Sequence, residues 1–219
     1  MSKTTNTLFK PTYLPKAGGY KGGKSLNEVK AKLGKKKLYK LSSNENYLGA
    51  SPKAKKAIRA AVNDLGLYPE RTDVFFRQAL AKFYGGLLTP DQFVTDNSGV
   101  ALLEMIERAF LNPGDEIIIC NPAFKPYYMF AQKLGAKPVD VPMKGKNYRL
   151  DIPGILKAIT KKTKLLFLCS PNNPTGTHIP QGDLDKLLPQ LPKHIVTVYD
   201  EVYYQYCLLY TSPSPRDRG

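Results

Sequence analysis

The chain has 219 residues, 42% hydrophobic and 11% aromatic, enough for one large or two modest globular domains with a sizeable core. Its formal net charge of +15 sits almost wholly at the front, where Lys3 through Arg59 are opposed only by Glu28 and Glu45. No helix-turn-helix, zinc-finger or RNA-binding signature accompanies that charge, so it reads as a solvated basic arm and argues against nucleic acid as a partner.

Cys120, Cys169 and Cys207 form neither a metal-like cluster nor an even disulfide set, which points to a reducing, cytoplasmic setting. No apolar stretch is long enough to span a bilayer or to serve as the core of a signal peptide. The Lys-Gly-Gly turns and the lack of Arg before Glu28 argue against a transit helix.

In chain order, Leu26 to Leu33 spaces its apolar residues at helical intervals, with Ser25 as N-cap and Gly34 as stop. Leu38 to Leu41 is short and extended, and Ser42-Ser43-Asn44-Glu45-Asn46 is a polar loop. A second helix follows from Ser51-Pro52 to Leu65, then a turn at Tyr68-Pro69-Glu70 and a third helix from Val74 to Tyr84. Phe93-Val94-Thr95 reads as a brief strand running into Asp96-Asn97-Ser98-Gly99. The helix from Val100 to Leu111 opens on this small-residue loop, and its first N–H groups make a candidate anion site.

Beyond it the pattern alternates. Glu116 to Cys120 is a buried strand, Asn121-Pro122-Ala123-Phe124 a loop, and a helix runs to Leu134. Lys137 to Val141 is extended, Asp151 caps a helix through Ile159, and Lys164 to Cys169 is a strand. Ser170-Pro171-Asn172-Asn173-Pro174-Thr175-Gly176 stops that strand sharply, with two amides exposed where ligands bind in open parallel sheets. A helix from Asp183 to Leu191 and a strand from Ile195 to Tyr199 follow, the latter ending in Asp200-Glu201. Strands alternating with helices predict right-handed crossovers and a mainly parallel sheet. There is no G-x-G-x-x-G turn, which argues against a nucleotide-binding domain. After Tyr206 the pattern breaks into Cys207-Leu208-Leu209-Tyr210-Thr211-Ser212-Pro213-Ser214-Pro215-Arg216-Asp217, which looks like translated sequencing-adapter sequence. The domain reading is a basic arm and small-domain contribution over 1–45, a partial large domain over 46–206 and a non-native tail over 207–219.

Taken singly, Asp200 reads equally as a solvated strand-end acid, Tyr203 as a core aromatic and Phe124 as packing. As an ordered set, Asp96-Asn97-Ser98-Gly99, Asn121 to Phe124, Ser170 to Gly176 and Asp200-Glu201-Val202-Tyr203 resemble the fold-type I aminotransferases that use pyridoxal 5′-phosphate. Leu41 to Asn46, Ser51-Pro52-Lys53 and Tyr68-Pro69-Glu70 bring the resemblance closest to the histidinol-phosphate aminotransferases. The resemblance implies a three-layer α/β large domain with part of a small domain, the carboxyl-terminal half lying outside this chain. It also implies a homodimer exchanging an amino group between histidinol phosphate and a 2-oxo acid, 2-oxoglutarate, in histidine biosynthesis.

By the same resemblance Asp200 opposes the cofactor's pyridine nitrogen, and Asn173 and Tyr203 hydrogen-bond its phenolic oxygen. Ser98, Gly99 and Val100 hold its phosphate, and Phe124 stacks on its ring. Tyr68 reaches the phosphate of the partner subunit's cofactor, and Asn44 lies on the substrate side. Tyr47 where the family commonly has proline, and Phe124 where it has tyrosine, loosen the substrate reading and keep an aromatic amino-acid aminotransferase open. A basic anion or nucleic-acid binder is the non-enzyme alternative. The lysine that links covalently to the cofactor falls, in the family, beyond the Asp200 motif, so no lysine here is given that role and the chain alone is expected to be inactive.

Overall fold

The structure, a computed structural model, describes residues 24–34 and 38–207. Most of the basic arm and the tail from Leu208 lie outside the described residues. The described residues divide into two units, one over residues 24–93 and one over residues 94–207.

The first unit carries three helices. Helix α1 (Leu26–Leu33) begins with a reciprocal cap: the Ser25 hydroxyl accepts from the Glu28 N–H at 3.2 Å, and the Glu28 carboxylate accepts from the Ser25 N–H at 2.6 Å. Helix α2 (Pro52–Ala61) starts on proline as expected, although the Ser51 side chain makes no capping bond, and it ends in a 3-10 turn over Val62–Asp64. Helix α3 (Val74–Phe83) is tied to the Pro90–Gln92 turn by Arg77, which donates to the Thr72 and Pro90 carbonyls at 2.8 and 3.1 Å. Phe93 to Thr95, expected as a strand, is not one. Three extended residues become a strand only when a neighbour takes up their N–H and C=O groups, and among the described residues no strand pairs with them.

The second unit is the expected α/β layer structure. Four strands, β1 (Glu116–Asn121), β2 (Lys137–Pro142), β3 (Thr163–Cys169) and β4 (Val196–Asp200), form one sheet in the order β2-β1-β3-β4. All three pairings are parallel. Because strand side chains alternate, the sheet sorts its residues into two cores. Ile117, Ile119, Leu165 and Phe167 face one side and pack with Leu103 and Leu111 around helix α4 (Gly99–Phe110) and with Tyr127, Met129 and Phe130 of helix α5 (Lys125–Lys133). Ile118, Cys120, Leu166 and Leu168 face the other, against Ile155 of helix α6 (Ile152–Ala158) and Leu184 and Leu187 of helix α7 (Gln181–Leu187). Burial on both faces explains why β1 and β3 read as continuous apolar runs rather than alternating ones.

Parallel strands place all their carboxyl ends at one edge, so Asn121, Cys169 and Asp200 come out together. Helix α4 enters β1 through the short connection at 111–115, which puts its carboxyl end at the amino edge of the sheet. Its 12 residues, a length comparable to a strand's, therefore bring its amino end to the carboxyl edge. Fold topology alone thus gathers the expected strand-end loops and the start of helix α4 on one rim.

Candidate active site

On that rim Asp200 is the last residue of β4, paired in register with Cys169 of β3, and its carbonyl accepts from the Ser170 N–H at 3.0 Å. Both carboxylate oxygens are held. Oδ2 accepts from the Tyr127 hydroxyl at 2.7 Å, and Oδ1 accepts from the Val202 N–H at 3.1 Å in the turn that follows. An ionised carboxylate has about four acceptor positions, so each oxygen keeps one for a further donor.

Tyr127, only 1% exposed, is the anchor. Its ring stacks on Phe167 with centroids 4.6 Å apart and planes at 18°, and meets Phe124 edge-on at 5.8 Å and 85°. Burial, then the nearby Cys169 and Asp200, push its hydroxyl pKa far above the ordinary tyrosine value, so it stays a donor at physiological pH. The Cys169 thiol beside it is pushed up to about 11, first by burial and then by Asp200, which keeps it neutral.

The two amides of the loop after β3 differ in burial. Asn172 is buried and structural: its side-chain amide donates to the Pro122 carbonyl at 3.0 Å and to the Thr175 hydroxyl at 2.8 Å, locking the loops after β1 and β3 together. Its main chain closes the turn, accepting from the Gly176 N–H and donating to the Thr177 carbonyl, each at 2.8 Å. Asn173 is half-buried, with its main-chain N–H turned toward the Cys169 sulfur. The Asn121-Pro122, Ser170-Pro171 and Asn173-Pro174 bonds are all cis.

At the start of α4 the Ser98 hydroxyl accepts from the Ala101 N–H at 3.2 Å, and the Ser98 carbonyl accepts the first helical bond from Leu102 at 3.1 Å. The N–H groups of Gly99 and Val100 precede that first bond, so the helix does not use them, and both residues are exposed. A Cβ built on Gly99 would meet nothing within 4 Å, so the space above the helix start is open. This end of the site suits an anion, and Asp200 suits a cationic N–H.

Of the residues singled out from sequence, Phe124 and Asp200 are joined through Tyr127, and Asn173 is joined to them through Cys169. Ser98, Gly99 and Val100 stand on the same rim, and Tyr203 is half-buried in the turn after Asp200. Asn44 and Tyr68 belong to the first unit. Asn44 follows Ser43 in a turn in which both take left-handed φ values, 72° and 48°, and Tyr68 is fully exposed. Sequence reasoning passed over Tyr127. The available signal was its place three residues after Phe124, which precedes helix α5, but nothing local tells Tyr127 from Tyr128, whose hydroxyl instead donates to Asp140 at 2.5 Å.

A parallel α/β sheet with helices on both faces, and with a helix start and a fixed carboxylate on its carboxyl rim, defines a doubly wound α/β domain. Residues 36–213 match the family model "Aminotransferase class I and II", and the chain belongs to that family. It is 40% identical over 189 residues to "Histidinol-phosphate aminotransferase 2" of Pasteurella multocida, covering 86% of this chain and 51% of that protein. It is 39% identical over 187 residues to the histidinol-phosphate aminotransferase of Moorella thermoacetica, covering 85% and 47%. The chain thus spans about half the length of the curated relatives it matches.

Among solved structures, histidinol-phosphate aminotransferase from Sinorhizobium meliloti, in complex with pyridoxal-5′-phosphate, superposes with a TM-score of 0.78 at 24% identity over 90% of this chain and 52% of that one. At that identity the likeness is one of fold. A Thermus thermophilus aspartate aminotransferase variant gives 0.68 at 28% identity over 74% and 47%.

Proposed function

We propose that these residues form the amino half of a pyridoxal-phosphate-dependent aminotransferase that moves an amino group between histidinol phosphate and 2-oxoglutarate. The observation that carries this reading is Asp200, fixed at a strand end by Tyr127 and Val202 with acceptor positions to spare, on the rim where α4 presents two unused N–H groups. The roughly 40% identity to histidinol-phosphate aminotransferases supports the choice of donor.

In this reading each residue has one task. Asp200 accepts a hydrogen bond from the cofactor's ring N–H and keeps that nitrogen protonated. When bound, the cofactor supplies an electron sink that lets a proton leave the carbon bearing the amino group. Phe124 covers a ring face and excludes water from it. Asn173 and Tyr203 orient the phenolic oxygen by hydrogen bonds, while Ser98, Gly99 and Val100 hold the phosphate through the α4 start. Asn44 contributes on the substrate side, and Tyr68 serves the phosphate of the other protomer in a cytoplasmic homodimer. The covalent lysine is assigned to a position beyond Asp200 in the full-length protein, and the 219 residues alone are expected to be inactive.

The test is spectroscopic and then catalytic. The full-length protein purified with pyridoxal phosphate should show a visible absorbance band, and should use histidinol phosphate in preference to phenylalanine or tyrosine as donor. Absence of the band sinks the cofactor reading; a band with better turnover of the aromatic donors moves the assignment to an aromatic amino-acid aminotransferase.

A further inference from the structure

We infer that Tyr127 is the positioning residue that holds Asp200 and Phe124 in fixed relation, so that one side chain sets both the ring-nitrogen contact and the ring-face cover of the site. The inference rests on the cofactor reading above and extends it to a residue that the sequence motifs left out.

Three observations carry it. The Tyr127 hydroxyl donates to Asp200 Oδ2 at 2.7 Å across 73 residues of chain, linking α5 to the end of β4. The same ring is wedged between Phe167 at 4.6 Å and Phe124 at 5.8 Å, so it cannot turn without unpacking the core. The Val202 N–H restrains the other Asp200 oxygen, so losing the hydroxyl frees one side of the carboxylate rather than the whole group.

The groups facing the hydroxyl are Asp200 on β4 and Cys169 on β3, from the two strands under it, and the thiol is neutral at physiological pH. A hydroxyl that stays protonated gives the carboxylate a constant donor. Asp200 and Phe124 are thereby held in fixed relation through one side chain. Tyr127 itself touches neither the ring nor the substrate in this scheme.

The experiment compares Tyr127→Phe and Asp200→Asn in the full-length enzyme. Tyr127→Phe keeps the ring packing and deletes only the hydroxyl, so the melting temperature should stay within a few degrees of wild type and the visible band should remain. The pH midpoint of that band should move by about half a unit or more, and kcat should fall about tenfold with the KM for the amino donor little changed. A Tyr127→Phe enzyme with wild-type midpoint and kcat, beside an Asp200→Asn enzyme in which both are changed, overturns the role of Tyr127 alone. If Asp200→Asn also leaves the band, its midpoint and kcat as in wild type, the cofactor reading itself falls.

Discussion

At the scale of single residues, adjacent identical side chains carry different work. Asn172 is 6% exposed and satisfies two partners, so Asn172→Ala should lower stability by about 1–3 kcal/mol, measured by denaturant unfolding of the full-length protein. Asn173→Ala should leave unfolding nearly unchanged and weaken pyridoxal-phosphate binding several-fold; an inverted pattern would exchange the two assignments. Glu107 is the opposite case, a fully buried carboxyl on α4 with neither oxygen partnered among the described residues. Burial, with Glu104 adding to it, pushes its pKa up to about 9. The folded protein therefore holds the acid protonated at neutral pH while the unfolded chain releases the proton. The resulting penalty is absent below about pH 4.5, grows as pH rises and levels off above about 9, reaching about 3 kcal/mol at pH 7. Glu107→Leu, flanked on its helix face by Leu103 and Leu111, should raise stability more at pH 8 than at pH 6. An equal change at both pH values would mean the carboxyl is paired in solution.

At the scale of elements, the α4 start can be tested apart from the fold. Gly99 has no left-handed φ and open space where a Cβ would go, so Gly99→Ala should be neutral or slightly stabilising in thermal melts. The added methyl would stand where the phosphate approaches the backbone, so the cofactor's Kd should rise about tenfold, read by absorbance titration. Unchanged affinity would put the phosphate elsewhere. The helix was legible in sequence because its apolar residues recur at helical spacing, and so were β1 and β3, whose uninterrupted apolar runs are too short for a helix and suit a strand buried on both faces. Phe93 to Thr95 misled for a physical reason: a strand is a pairing, and a run of β-formers does not reveal whether a partner is present.

At the scale of the molecule, β4 is an edge strand among the described residues, less buried than β1 and β3, with Val196 exposed on it and Val202 exposed in the turn that follows. Edges of this kind need covering. Phe75, Phe76, Phe83, Leu65 and Leu67 are likewise exposed in the first unit. The 219 residues on their own should therefore unfold in a broad, weakly cooperative transition and bind a hydrophobic dye, while the full-length protein melts sharply; a sharp melt of the short chain would show that it is a stable domain by itself. The amino-acid sequence by itself determined the local pieces: helix caps at Ser25 and Asp151, strand-ending prolines, and the loop residues whose order marks the family, because each depends on chemistry within a few positions. Only the tertiary structure decided which of them cooperate. The parity of the sheet puts Asp200 on the Phe167 face, and the packing of α5 brings Tyr127, rather than Tyr128, to it. Those relations are set by burial of surfaces far apart in the chain, which no local pattern of residues encodes.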